Sequence, residues 1–69
     1  MKPGELRKFD DMSDSGNYDS RRVSGKIFMV IKEGMETEQD VGILLNGVLE
    51  SGWGYDWVNI RSEVISEAG

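Results

Sequence analysis

Val41-Gly42-Ile43-Leu44-Leu45-Asn46-Gly47-Val48-Leu49-Glu50-Ser51-Gly52-Trp53 contains the strongest local instruction in the chain. Two apolar runs flank Asn46-Gly47, and both of those residues tolerate positive φ, which a two-residue type I′ hairpin turn requires. In that register Leu45 faces Val48 and Ile43 faces Glu50. The alternation of a strand then places Val41, Ile43, Leu45 and Val48 on one side and Leu44 and Leu49 on the other. The first set is expected to face inward. Leu44 and Leu49 are left to pack under a loop or to meet a partner.

Upstream, Gly25-Lys26-Ile27-Phe28-Met29-Val30-Ile31-Lys32 reads as the firmest strand. Its consecutive apolar residues are β-preferring types, and the run between the lysines is too short for a typical helix. Without alternation, the run implies a central, bent strand covered on both faces. Glu5-Leu6-Arg7-Lys8-Phe9 gives a first short strand behind the turn signal Pro3-Gly4. Arg61-Ser62-Glu63-Val64-Ile65-Ser66 gives a last one, and residues 66–69, overlapping its end, read as a flexible tail. Residues 10–24 are polar, small and turn-rich, and predict a long exposed loop with a mobile tip. Glu33–Asp40 is an acidic loop. Gly52–Ile60 is too glycine-rich for a long helix and predicts a 3₁₀ turn around Asp56–Asn59. The nine glycines fall between short apolar runs, as strand punctuation.

Sixty-nine residues hold one domain. The fold class that follows is all-β: a small five-stranded SH3-like barrel with a long first loop and a 3₁₀ turn before the last strand. Such a chain buries only about 60% of its unfolded surface. The usual staples are missing, because there is neither Cys nor His. This removes disulfides, thiolate metal sites and the commonest general base. The core must therefore suffice, or a partner must add stability.

Thirteen acidic and eight basic residues give a net charge of −5. An acidic surface repels phosphate backbones. Arg7, Lys8, Arg21, Arg22 and Lys26 could in principle form a nucleic-acid site, but they read more simply as balancing the neighbouring carboxylates. No apolar run approaches the roughly 20 residues of a membrane span. The N-terminus lacks the apolar core of a secretory signal, so a cytoplasmic origin is expected.

The strand pattern resembles a group of small SH3-like barrel proteins of tailed bacteriophages. The matching pieces are Lys2-Pro3-Gly4-Glu5-Leu6-Arg7-Lys8-Phe9, Gly25-Lys26-Ile27-Phe28-Met29-Val30-Ile31, Val41-Gly42-Ile43-Leu44-Leu45-Asn46-Gly47, and Trp57 with Ser62-Glu63-Val64-Ile65-Ser66. The pattern is also similar to KOW-type barrels, which bind RNA or protein; the negative charge departs from the nucleic-acid-binding versions. The resemblance implies a binding protein: a virion component of capsid, neck or tail, docked on other virion subunits or itself, or a soluble factor directed at a host or defence protein. It places the chain in the virion or the host cytoplasm.

Candidate partner-binding residues are Trp53, Tyr55, Trp57 and Tyr18, with Leu44 and Leu49. Trp and Tyr bury large areas while keeping a polar handle. In an extended segment 53, 55 and 57 share one side; the competing reading is that one Trp caps the core. The acidic loop Asp10, Asp11, Asp14 and Asp19 stands opposite, as in grooves that take Pro-rich peptides. Those carboxylates lack the spacing of a Ca²⁺ loop and read as solvated. No Ser–His or Cys–His pair, phosphate loop or dinucleotide fingerprint occurs, and the chain is too short to enclose a useful pocket. Neither catalysis, cofactor, metal nor small-molecule substrate is expected.

Overall fold

The computed structural model describes residues 1–67. The chain runs β1 (Leu6–Phe9), α1 (Tyr18–Val23), β2 (Ile27–Glu33), β3 (Asp40–Leu45), β4 (Val48–Gly54), α2 (Tyr55–Ile60) and β5 (Ser62–Ser66). The strands form one antiparallel sheet in the order β4-β3-β2-β1-β5. The chain is thus mostly β, with two short helices.

The hairpin forms as its turn residues dictate. Asn46 and Gly47 take φ of 53° and 77°, and the ladder pairs Leu45 with Val48 and Ile43 with Glu50. Val41, Ile43 and Leu45 are buried as expected, but Val48 is 58% exposed. It sits beside the turn, where the hairpin projects past the core.

β2 is central, flanked by β1 and β3. Its two faces differ, contrary to the expectation from its unbroken apolar run. Phe28 and Val30 are buried in the core, whereas Ile27 is 55% exposed and Met29 and Ile31 are half-buried. Among the described residues, both helices place their buried apolar anchors, Val23 and Val58, in the core on the first face.

The sheet is open, not the closed barrel expected. β4 and β5 are its edges, with no ladder between them among the described residues. α2 touches both edge strands instead. It is an α-helix in place of the expected 3₁₀ turn: Arg61 N–H donates to the Trp57 carbonyl four residues back, at 2.9 Å. Val58 is its buried anchor.

Residues 10–24 are not simply a loop. Asn17 Oδ1 accepts the Ser20 N–H at 3.1 Å and caps α1. Asp19 stands in the first turn and Arg21 and Arg22 in the last, as the helix dipole favours. Six residues are too few to show a hydrophobic period, but Val23 reaches the core and is fully buried. At the other end, Ser66 belongs to β5; residues 68–69 of the expected tail lie outside the described residues.

The core is Phe9, Val23, Phe28, Val30, Val41, Ile43, Leu45 and Val58. Phe9 and Phe28 stack with centroids 4.4 Å apart. Three charged side chains are buried, Glu5, Arg7 and Asp40, and each is engaged. Arg7 donates to Glu5 (2.7 Å), Ser62 Oγ (2.8 Å), the Ser62 carbonyl (3.0 Å) and the Asn59 carbonyl (3.1 Å), tying β1 to the end of α2 and the start of β5. Asp40 accepts backbone N–H groups of Glu36, Thr37 and Gly52 at 3.0–3.2 Å, fixing the β2–β3 connection against β4.

Candidate functional site

α1 lies across from the start of α2, and the space between them is a groove. Its floor is made by Trp53, near the end of β4, and Trp57, on the first turn of α2. Their rings stack with centroids 5.6 Å apart and planes 20° from parallel. Each centroid lies 6.0 Å from that of Phe9. One side of the pair therefore leans on the core, and both residues are half-buried. Neither Trp is a fully buried cap.

A polar clamp holds α1 in place over β4. The Arg22 guanidinium meets both oxygens of Glu50 at 2.9 Å. Its carbon lies 5.7 Å from the Trp53 ring centroid, and Trp53 Nε1 donates to Glu50 Oε1 at 3.1 Å. Asp19 approaches Arg22 Nε at 3.5 Å. Hydrogen bonding from Arg22 holds the Glu50 carboxyl below its ordinary range, against the effect of burial. The same bond raises the Arg22 pKa further. The clamp is ionised at neutral pH.

The groove has a wide end and a narrow end. The wide end, about 530 Å³, lies between Asp11, Met12, Asp14 and Asn17 on one wall and Trp57 and Arg61 on the other. The narrow end, about 190 Å³, runs on between Asn17, Asp19 and Ser20 and the strip Trp53-Gly54. Asn17, Ser20 and Trp57 line both, so the two are continuous. Asp11 accepts from Ser13 N–H at 3.0 Å and from Ser24 Oγ at 3.2 Å. These bonds, the Ser13 backbone bond foremost, hold its carboxyl below the usual carboxylate range.

The residues expected to act together are separated in the fold. Trp53, Trp57, Asp11, Asp14 and Asp19 line the groove. Tyr18 opens α1 and is 69% exposed, outside the aromatic stack. Asp10 is not in the groove either; its backbone bridges the Arg61 carbonyl and the Gly25 N–H. Tyr55 departs from the Trp pair because β4 ends at Gly54 and helical geometry turns residue 55 away. It lies instead beside Glu33, Glu38 and Asp56, with its hydroxyl against the Met1 ammonium. Burial, and then Glu33, push its pKa up. Leu44 and Leu49 lie on the opposite face of the sheet, paired with each other.

The basic cluster is dispersed as well. Arg7 is buried and Arg22 belongs to the clamp, while Lys8, Arg21 and Lys26 are exposed at separate points. Sequence reading missed the Arg22–Glu50 pair because its members lie 28 positions apart. It also missed Asn17 and Ser20, although Asn17 two residues before Asp19 is a helix-start signal.

Among the described residues, no cluster of three or more acidic side chains is close enough to hold a metal ion, and no helix is long and apolar enough to cross a membrane. In comparison with known proteins, no family model matches the chain, and no curated protein or solved structure matches it.

Proposed function

We propose that this chain is a non-enzymatic protein-binding module of SH3-like organisation, with the tryptophan groove as its partner site. The strand order β5-β1-β2-β3-β4, the long connection after β1 and the short helix before β5 support the SH3-like reading. One observation carries the function: two stacked tryptophans, partly buried against the core, keep an accessible side on the floor of a groove walled by Asp11, Asp14 and Asp19. Aromatic area held accessible by a rigid clamp costs little entropy to bury, which suits an interface anchor. The carboxylates favour a partner segment that carries Lys or Arg.

Within the bacteriophage resemblance, the role that fits is a virion structural component. The alternative is a soluble factor that blocks a host or defence protein, and the acidic groove favours that reading where the target surface is basic. Quantitative mass spectrometry of purified particles separates the two: stoichiometric copies support the virion role, and absence from particles removes it.

The groove itself is tested by intrinsic tryptophan fluorescence against arrayed peptides with and without Lys and Arg. Binding to the basic peptides should weaken about tenfold with Trp57→Ala and should fall as salt rises. Peptides that bind equally well to the wild type and to Trp57→Ala would remove the groove as the site.

A further inference from the structure

The groove holds one charge that an acidic partner site leaves unused. Arg61 stands on the α2 wall of the wide end, across from Asp11 and Asp14. Its backbone is fixed on both sides: its N–H donates to the Trp57 carbonyl at 2.9 Å, and its carbonyl accepts the Asp10 N–H at 2.8 Å. Its side chain is exposed and enters no ion pair among the described residues. Asp14 is likewise exposed and unpaired among them, whereas Asp11 is oriented by Ser13 N–H and Ser24 Oγ. Opposite charges thus stand on facing walls beside Trp57 without forming an ion pair, and the space between them is the 530 Å³ of the wide end.

The groove also has a direction. Its narrow end runs on past Asp19, Gly52 and Trp53 into a further hollow of about 230 Å³ beside Arg22, Glu50 and Ser51. A cleft continuous over that course suits an extended peptide segment. At the narrow end the arginine is already engaged, since Arg22 is held by Glu50 and Asp19. A bound segment therefore meets carboxylates along the α1 wall and an available cation only at Arg61.

We propose that Arg61 is a specificity-determining residue of the groove, selecting partner segments that carry an acidic side chain close to the basic one held by Asp11 and Asp14. The inference rests on the groove being the partner site. A purely basic segment sets a like charge against Arg61, and a purely acidic one sets like charges against the two aspartates; each costs affinity and excludes a wrong partner. A segment with both charges satisfies both walls and binds in one orientation.

Two Trp-free, end-capped peptides of equal length, one with two lysines and one with a lysine and a glutamate, test this by tryptophan fluorescence. The titrations are run at about 0.15 M salt, where exposed charges more than about 8 Å apart are largely screened. The Lys–Glu peptide should bind the wild type about threefold more tightly than the two-lysine peptide, the scale of an exposed ion pair. Arg61→Glu should reverse that order, and Arg61→Gln should abolish the difference. Lys8→Glu makes the same change in net charge outside the groove and should leave the order as it is. Circular dichroism shows whether each variant is folded; if Arg61→Glu is not, Arg61→Gln decides. The proposal is overturned, with the groove still standing, if Trp57→Ala weakens both peptides but the wild type does not prefer the Lys–Glu one. It is overturned in the same way if Arg61→Glu leaves the order unchanged or Lys8→Glu moves it equally. Peptides indifferent to Trp57→Ala remove the groove as the site, and this proposal with it.

Discussion

The two faces of this sheet are built from similar residues and put to opposite uses. On the inner face, Phe9, Phe28, Val30, Ile43 and Leu45 meet Val23 from α1 and Val58 from α2, and are almost wholly removed from water. On the outer face, Leu6, Met29, Leu44 and Leu49 line up equally well but meet no second layer among the described residues. Hydrophobicity alone does not decide which face becomes the core. What decides is where the connections go: β1–β2 and β4–β5 each carry a helix with one buried anchor, and both helices pack on the same side.

The contrast can be broken most sharply at Phe28. Truncation to alanine on the inner face should cost about 3–5 kcal/mol. A core of this size supplies roughly that much in total, so Phe28→Ala should be largely unfolded by far-UV circular dichroism at 25 °C. A cooperative, near-wild-type melt would mean that the inner face is not the stabilising one.

Acid should act on the inner side and its polar supports before it touches the apolar outer row. Hydrogen bonding from Arg7 holds the Glu5 carboxyl below its ordinary 4.5, against the effect of burial. Burial opposes ionisation of Asp40, but the backbone N–H groups of Glu36, Thr37 and Gly52 outweigh it and hold the pKa below 3.8. Glu50 is lowered in the same way by Arg22. A carboxyl lowered by folding contributes its full stability above the unfolded-state value, and that contribution disappears as pH falls through the folded value. The melting temperature should therefore be level near neutrality and drop below about pH 4. Arg22→Gln should flatten part of the drop by removing the Glu50 share.

The smallest effect is expected at Leu49. Leu49→Ala should change stability by less than about 0.5 kcal/mol, in contrast to Phe28→Ala. A large loss would show that the outer row stabilises the chain much as the inner face does.

How much of this was legible in the sequence follows from interaction range. Asn46-Gly47 fixed the hairpin and its register because a two-residue turn is a local decision. Val41, Ile43 and Leu45 were legible as core by alternation, but the same reasoning misplaced Val48, since a sequence does not show where a hairpin outruns its core. α1 is hidden in the sequence because six residues carry no period; its only local signals are Asn17 and the order of charges along it. The run Ile27–Ile31 suggested two covered faces, whereas the cover depends on helices that its own residues do not specify. Of the site, Trp53, Trp57 and three of the four loop aspartates came together. Tyr55 was lost to the groove because helical geometry replaced the extended spacing on which the alignment relied. The Arg22–Glu50 clamp was illegible, being set by tertiary approach alone.

Arg7 carries one more consequence. Its guanidinium sits in the first strand, yet its acceptors at Asn59 and Ser62 lie 52 and 55 positions further on. During synthesis, the opening segment is made with Glu5 alone to meet that charge, long before the Asn59 and Ser62 acceptors exist, and burying it early would leave most of its donors unmet. β1 should therefore stay hydrated and undocked while the hairpin assembles, and lock only when the α2–β5 junction has emerged. The nascent chain would close from its middle outward, with its beginning and its final strand joining in one late step.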